Sequence, residues 1–322
     1  MSSSNSSSSP LRVFIFDSPR TNSQLFYRMW QQHPQLAPMK GFHPFAGAQM
    51  YGPERITLRT RHCEAAERGQ IEWGTQYPDA NWNTFETSAK ALREQIAEAE
   101  QEGKIFFGKE HSLMLVNQDL ILNTMRRGEN EPSPAITTNP TYIPGDVLAT
   151  LTPVFLFRHP ALIAGSLYPK FNPISGVEPN DEDWELSSSL RWTVYVHQYF
   201  TSLGHKTAVI EAQDFVYNTE PTMNALCRRL GIDEDGWVEK WDPIPREHWP
   251  DHRNAVAMTG DLMGSSGLER RGKGPAEATL DLGVEFGKWK ERFGDVVAEG
   301  LKKRVEAEMP VYEYLRSVKL TA

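Results

Sequence analysis

The sequence predicts an α/β fold in which a parallel sheet carries helices on both faces, and three observations predict it. Four short runs rich in β-branched and aromatic residues, Val13 to Phe16, Lys104 to Phe107, Val154 to Phe157 and Thr207 to Ile210, are apolar without the alternation of a half-exposed strand. Amphipathic segments of helical period separate them, so the order is strand, helix, strand, helix, with right-handed crossovers expected. The first run also passes directly into a tight polar turn and then a helix, the arrangement that puts a ligand at the carboxyl end of an open sheet.

The elements follow in chain order. Met1 to Pro10 is serine-rich and polar, lacks the basic start and apolar centre of a signal peptide, and reads as a disordered tail of residues 1–10 ahead of a single α/β domain over residues 11–322. After the first strand, Ser23 to His33 is amphipathic. Gly41 to Asn83 is rich in Gly, Pro, Trp and Tyr with weak periodicity, and reads as loop and short helix over one end of the sheet, where a substrate lid would sit. Its stretch Trp73 to Trp82 suits either an acceptor pocket or simple packing. Helical patterns continue at Phe85 to Glu102, Ala161 to Tyr168, Leu186 to Leu203 and Pro221 to Leu230. Asp242 to Leu280 reads as irregular, and Val284 to Glu308 as helical again.

Composition narrows the function. With 322 residues, 39% hydrophobic and 24% charged, the chain has enough material for a full core. A formal net charge of −8 offers no broad basic surface for nucleic acid, so an anionic ligand must be small and held by a few placed cations. Cys63 and Cys227 form no C-x-x-C pair, which fits two free buried thiols in a reducing compartment and no thiolate metal site. No apolar stretch approaches the ~20 residues that span a bilayer, so a cytoplasmic location and no membrane partner are expected. His33, His43, His62, His159, His197, His205, His248 and His252 read as surface or turn residues.

Three segments carry chemistry. In Asp17-Ser18-Pro19-Arg20-Thr21-Asn22-Ser23-Gln24-Leu25, the turn's N–H groups and the open helix N-terminus face one spot, and Arg20 adds a forked cation. No glycine occurs between Asp17 and Leu25, so the nucleoside triphosphate signature is absent and an ATPase or GTPase is disfavoured. In Phe155-Leu156-Phe157-Arg158-His159-Pro160, an arginine follows a strand and Ser166 comes eight residues later on the next helix, which suits a second phosphate contact. In Phe106-Phe107-Gly108-Lys109-Glu110-His111, a buried strand ends in a lysine and a histidine. No G-x-S-x-G elbow is present, which disfavours a serine hydrolase.

Taken in order, these segments resemble the sulfotransferase family, enzymes that move a sulfonate group from 3′-phosphoadenosine 5′-phosphosulfate (PAPS) to an acceptor and release 3′-phosphoadenosine 5′-phosphate (PAP). The family's phosphosulfate loop matches Pro19-Arg20-Thr21-Asn22-Ser23-Gln24, its 3′-phosphate pair matches Arg158 and Ser166, and its Lys-x-His strand end matches Lys109 and His111. Ala212-Gln213-Asp214 with Leu226 to Ile232 is similar to a late family segment. Arg270-Arg271-Gly272-Lys273 and Gly287-Lys288-Trp289-Lys290 echo its C-terminal elements. The chain also resembles sulfotransferase-like proteins of filamentous fungi, which points to secondary metabolism.

The resemblance implies a P-loop-type sulfotransferase fold and PAPS as cofactor. It assigns Arg20, Thr21, Asn22, Ser23 and Gln24 to the 5′-phosphate end, Arg158, Ser166, Arg270, Arg271 and Gly272 to the nucleotide, and Arg20, Lys109 and His111 to catalysis, His111 as general base. It implies a small-molecule acceptor with a hydroxyl or amine, no metal and no nucleic acid. Oligomeric state stays open. Asn22 stands where the family has glycine, and asparagine is the residue that most readily enters the left-handed region in its place. Gln24, Leu25 and Ala212 are further departures. They motivate an alternative, a protein of this fold that acts as a cyclase, lyase or isomerase on a small metabolite without sulfonate transfer.

Overall fold

The computed structural model describes residues 10–40, 44–58, 84–127, 135–249, 253–270 and 280–321. Five strands form one sheet: β1 (Arg12–Asp17), β2 (Leu36–Pro38), β3 (Ile105–His111), β4 (Thr152–Phe157) and β5 (Ala208–Glu211). Their spatial order is β2-β3-β1-β4-β5, and every neighbouring pair is parallel. The α/β class and parallel sheet are therefore as expected. The longer helices are α1 (Ser23–Trp30), α2 (Phe85–Gln101), α3 (Gln118–Met125), α4 (Pro160–Ser175), α5 (Arg191–Ser202), α6 (Thr219–Leu230), α7 (Arg253–Met263), α8 (Leu282–Phe293) and α9 (Asp295–Ser317).

The unalternating strands are explained by two cores, one on each face of the sheet. Phe14, Phe16, Phe106 and Phe155 point to one face and pack with Leu92 and Ile96 of α2 and with Trp192, Val196 and Phe200 of α5. Val13, Ile15, Phe107, Val154 and Leu156 point to the other and pack with Phe26, Met29 and Trp30 of α1 and with Met223 and Leu226 of α6. Burying a side chain of this size contributes roughly 1.5–3 kcal/mol, so a strand apolar on both faces gains twice per pair of residues. Such strands have no solvent face to mark with polar residues.

Several element boundaries differ from the sequence reading. Strand β2 was not expected, because three residues ending in Pro38 show no period, yet Leu36, Ala37 and Pro38 pair with Ile105, Phe106 and Phe107 at the sheet edge. Strand β3 runs four residues past Phe107, so Lys109 and His111 lie within the strand. Helix α4 does not stop at Tyr168 but continues through Pro169 and Pro173 to Gly176, which caps it at φ 69°. Its apolar side, Leu167, Tyr168 and Phe171, packs with Trp184, Trp289 and Leu301, and that burial outweighs two missing backbone donors.

The segment Leu186 to Leu203 is two helices, Glu182–Ser188 and α5, separated at Ser189 and Leu190. The carboxylate of Glu308 makes that corner, accepting from the Leu190 N–H at 3.0 Å and the Ser189 hydroxyl at 2.9 Å. Val284 to Glu308 is likewise split, at Gly294 with φ 85°. The stretch Asp242 to Leu280 contains helix α7. Two histidines read as surface or turn residues are buried: His33 packs against Trp30 and reaches the Asp233 carbonyl at 3.0 Å, and His197 bridges Tyr314 and Thr207 at 3.1 and 3.2 Å. Cys227 is a free buried thiol. Cys63, residues 1–9, most of the segment Gly41 to Asn83, and Arg271 to Lys273 lie outside the described residues.

Candidate active site

The carboxyl ends of β1, β3 and β4 are adjacent in the sheet, so the three chemistry-bearing segments meet at one edge of the fold. The loop between β1 and α1 makes its turn by placing Arg20 at φ 67° and Asn22 at φ 59°. Left-handed backbone costs a non-glycine residue roughly 1–2 kcal/mol, less for asparagine, so the loop holds Arg20 in a conformation that the surroundings must support. Asn22 serves as the N-cap of α1 without a side-chain hydrogen bond to the helix.

That backbone turn aims Arg20 across the site. Its Nε donates to Ser166 Oγ on α4 at 2.9 Å and its Nη1 to the Met258 carbonyl on α7 at 3.0 Å. Arg158, directly after β4, donates from Nη1 to the carbonyl of Arg20 at 3.0 Å. Arg20, Arg158 and Ser166 thus form one cluster, although the sequence assigned them to two ends of a nucleotide. Among the described residues neither guanidinium has a carboxylate within ion-pair distance, and Arg158 Nε is buried with no hydrogen-bond partner. Burial and the adjacent positive charge of Arg20 push Arg158 down to about 10. Burial lowers Arg20 as well, while Asp261 pulls it back.

The second cluster is built on the β1–β3 ladder. Parallel register sets Ile15 beside Lys109 and Asp17 beside His111 on one face of the sheet. On the opposite face of β3, Gly108 leaves room for the aromatic core, since a Cβ there would lie 2.7–2.8 Å from ring atoms of Phe14 and Phe106. The Asp17 carboxylate, fully buried, has Oδ2 3.0 Å from His111 Nδ1 and Oδ1 3.5 Å from Lys109 Nζ. Burial alone would raise the Asp17 carboxyl, but the charges of His111 and Lys109 and hydrogen bonds from His111 and Ser23 hold it well below the usual carboxylate range. Burial lowers the Lys109 amine against the pull of Asp17 and Glu110. Asp17, at ion-pair distance, is the chief group favouring the charged amine against that burial. Glu110 faces away and accepts from the backbone N–H groups of Phe45 and His111 at 3.0 and 2.7 Å.

The remaining sequence-selected residues are placed as follows. Thr21 Oγ1 lies 2.8 Å from the Ser18 carbonyl and 3.1 Å from Asp17 Oδ2, and Ser23 bonds Asp17, so both hydroxyls support the carboxylate. Gln24 is half-buried on the first turn of α1. Arg270 donates to the Val216 carbonyl at 3.1 Å, to Thr219 Oγ1 at 3.0 Å and to Glu239 at 2.8 Å, which engages its guanidinium on the protein itself. Arg271 and Gly272 lie outside the described residues. Asp17 was missed by sequence reasoning. Its signal was an acidic residue closing an otherwise apolar strand.

No family model matches the chain. It is similar to Sulfotransferase ppzF of Metarhizium majus (strain ARSEF 297), 25% identical over 339 residues that cover 97% of this chain and 98% of that protein. It is also similar to Sulfotransferase ppzF of Metarhizium rileyi (strain RCEF 4871), 23% identical over 338 residues and 97% of each chain. The chain resembles fungal sulfotransferases.

The similarity to both relatives spans 97% of the chain. Among solved structures, a sulfotransferase from Alicyclobacillus acidocaldarius aligns with 80% of this chain and 92% of its own at a TM-score of 0.42 and 12% identity. The sulfotransferase domain from the curacin biosynthetic pathway aligns with 94% and 98% at 0.38 and 14% identity. No helix among the described residues is long and apolar enough to cross a membrane.

Proposed function

We propose that this protein is a sulfotransferase that moves a sulfonate group from PAPS to a hydroxyl or amine of a small-molecule acceptor, of the kind made in secondary metabolism. The observation that carries the reading is the Arg20–Arg158–Ser166 cluster, two inward-held guanidiniums with no carboxylate within ion-pair distance among the described residues. Two desolvated cations close enough for the charge of Arg20 to lower Arg158 are costly alone and favourable around an anion, and the orphaned Arg158 Nε is a donor waiting for an acceptor. The donor set therefore suits phosphate oxygens, with Ser166 adding a hydroxyl.

When bound, PAPS supplies the activated sulfonate. Arg20, Arg158 and Ser166 would hold the nucleotide's phosphates and neutralise their charge. His111 would take the proton of the acceptor hydroxyl or amine at the neighbouring strand end. Lys109 lies on the same strand end, at ion-pair distance from Asp17. The net charge of −8 fits small anionic ligands met at one local cation cluster and not a nucleic-acid backbone. The Asp17–His111 pair also supports a second reading, because a base oriented by a carboxylate needs no sulfonate donor to drive an elimination or cyclisation.

Donor dependence decides. Purified protein is incubated with PAPS and candidate hydroxyl- and amine-bearing metabolites, and sulfonated product and PAP are followed together by mass spectrometry. His111→Ala is expected to cut turnover by about 10² to 10⁴ while PAP still binds. Conversion of an acceptor in the absence of PAPS would favour the second reading instead.

A further inference from the structure

The parallel register of β1 and β3 does more than bring Asp17 near His111. The carboxylate is fully buried and ionised, so its oxygens can only accept and neither donates. Oδ2 stands 3.0 Å from His111 Nδ1, and the proton between them therefore belongs to the imidazole. Lys109 Nζ also approaches Nδ1, at 3.5 Å, and as an obligate donor it would favour the opposite tautomer. Distance and charge decide between them: the shorter contact to an anion is the stronger one. Among the described residues, the polar groups facing the pair include Glu110, turned to backbone N–H groups, and the hydroxyls of Thr21 and Ser23.

We propose that Asp17 is the positioning residue of His111, holding the ring in its Nδ1–H form so that Nε2 carries the lone pair, and that Lys109, at ion-pair distance from Oδ1, biases the orientation of the carboxylate by its charge. Resting on the sulfotransferase reading, this makes Nε2 the atom that accepts the acceptor's proton, the resulting imidazolium being stabilised by the Asp17 carboxylate. The tautomer itself is independent of which reaction follows. Lys109 then acts through Asp17, which accounts for a basic group sealed inside a strand at a position that the family resemblance assigned to catalysis.

The substitution Asp17→Asn tests this with a sharp expectation. An ammonium only donates, so the amide oxygen of the asparagine must stay toward Lys109 and its NH₂ must turn to Nδ1. The ring is then forced into the Nε2–H form. Full-length protein with ¹⁵N-labelled histidine is observed through two-bond ¹H–¹⁵N correlations, with His111→Gln identifying the His111 signals. Wild type should show a protonated Nδ1 and a bare Nε2, Asp17→Asn the reverse. Turnover should fall by about 10² to 10⁴ with PAP affinity unchanged. An unaltered tautomer in Asp17→Asn, or an Nε2–H ring in the wild type, overturns the proposal. If Asp17→Asn does not fold, the wild-type spectrum decides alone. The expected spectra without PAPS-dependent transfer would sink the sulfotransferase reading and leave the positioning role standing, and transfer with an unaltered tautomer would do the opposite.

Discussion

Lys109 and Arg158 each bring a basic group to the carboxyl end of the same sheet, yet Lys109 has the Asp17 carboxylate at 3.5 Å while Arg158, among the described residues, has the carbonyl of Arg20 at 3.0 Å and no carboxylate within ion-pair distance. The first cluster brings opposite charges together: Asp17 has His111 at 3.0 Å and Lys109 at 3.5 Å, although its Oδ1 accepts no hydrogen bond among the described residues. The second accumulates two cations and leaves a buried donor without a partner. The difference separates two jobs. A self-balanced cluster holds a group in place, whereas an unbalanced one is completed by what binds to it. His197 shows a third solution for a buried base, remaining neutral, since burial pushes it down to about 4.

The largest effect should come from breaking the balanced cluster. Asp17→Ala leaves Lys109 buried without its counter-charge, and loss of one partner of a buried pair costs about 3–5 kcal/mol. Urea denaturation measures it. Asp17 has a depressed folded pKa, so its contribution is complete above about pH 4 and is lost only as the solution becomes more acidic than that. A stability loss below about 1 kcal/mol would show that Lys109 does not depend on Asp17.

Arg158→Ala should behave in the opposite way. Calorimetry is expected to show PAP affinity falling by about 2–5 kcal/mol, since a desolvated charge-assisted contact is removed. The ligand-free protein should keep its stability within about 1 kcal/mol, because the lost guanidinium was desolvated and repelled by Arg20. Equal damage to folding from both substitutions would collapse the distinction between the clusters.

The smallest effect concerns the neutral base. His197 has a folded pKa of about 4 against an ordinary value of about 6.5, so as pH falls through that window the unfolded chain takes up a proton first. Stability should be highest above about pH 6.5, decline toward pH 4 and level off below it. His197→Gln should flatten that slope by an amount of order 3 kcal/mol across the window. An unchanged slope would mean that His197 takes up its proton without leaving the folded interior.

Much of the fold was legible because four of the five strands are apolar on both faces, a pattern that hydrophobic run length alone reveals. Strand β2 was not, since three residues ending in proline carry no period. The break at Ser189 was invisible because the carboxylate that makes it belongs to Glu308, 118 residues later than Leu190. At the site, Lys109, His111 and Arg158 were found because each stands at or next to a strand's carboxyl end, and Ser166 because it follows Arg158 by eight residues on the next helix. Asp17 escaped notice because its partners lie on another strand, and only the β1–β3 register shows that they meet.

By itself the sequence determined the alternation of buried strands and amphipathic helices, the polar turn after β1 and the placing of cations where strands end, because these depend on residue type and on neighbours within a turn or two. Only the tertiary structure decided how those cations are used. Positive φ at Arg20 carries its guanidinium to Ser166 and away from its own loop, and parallel register buries Lys109 behind Asp17. Electrostatic roles depend on which charges share a low-dielectric space, and that is a property of distances between segments far apart in the chain.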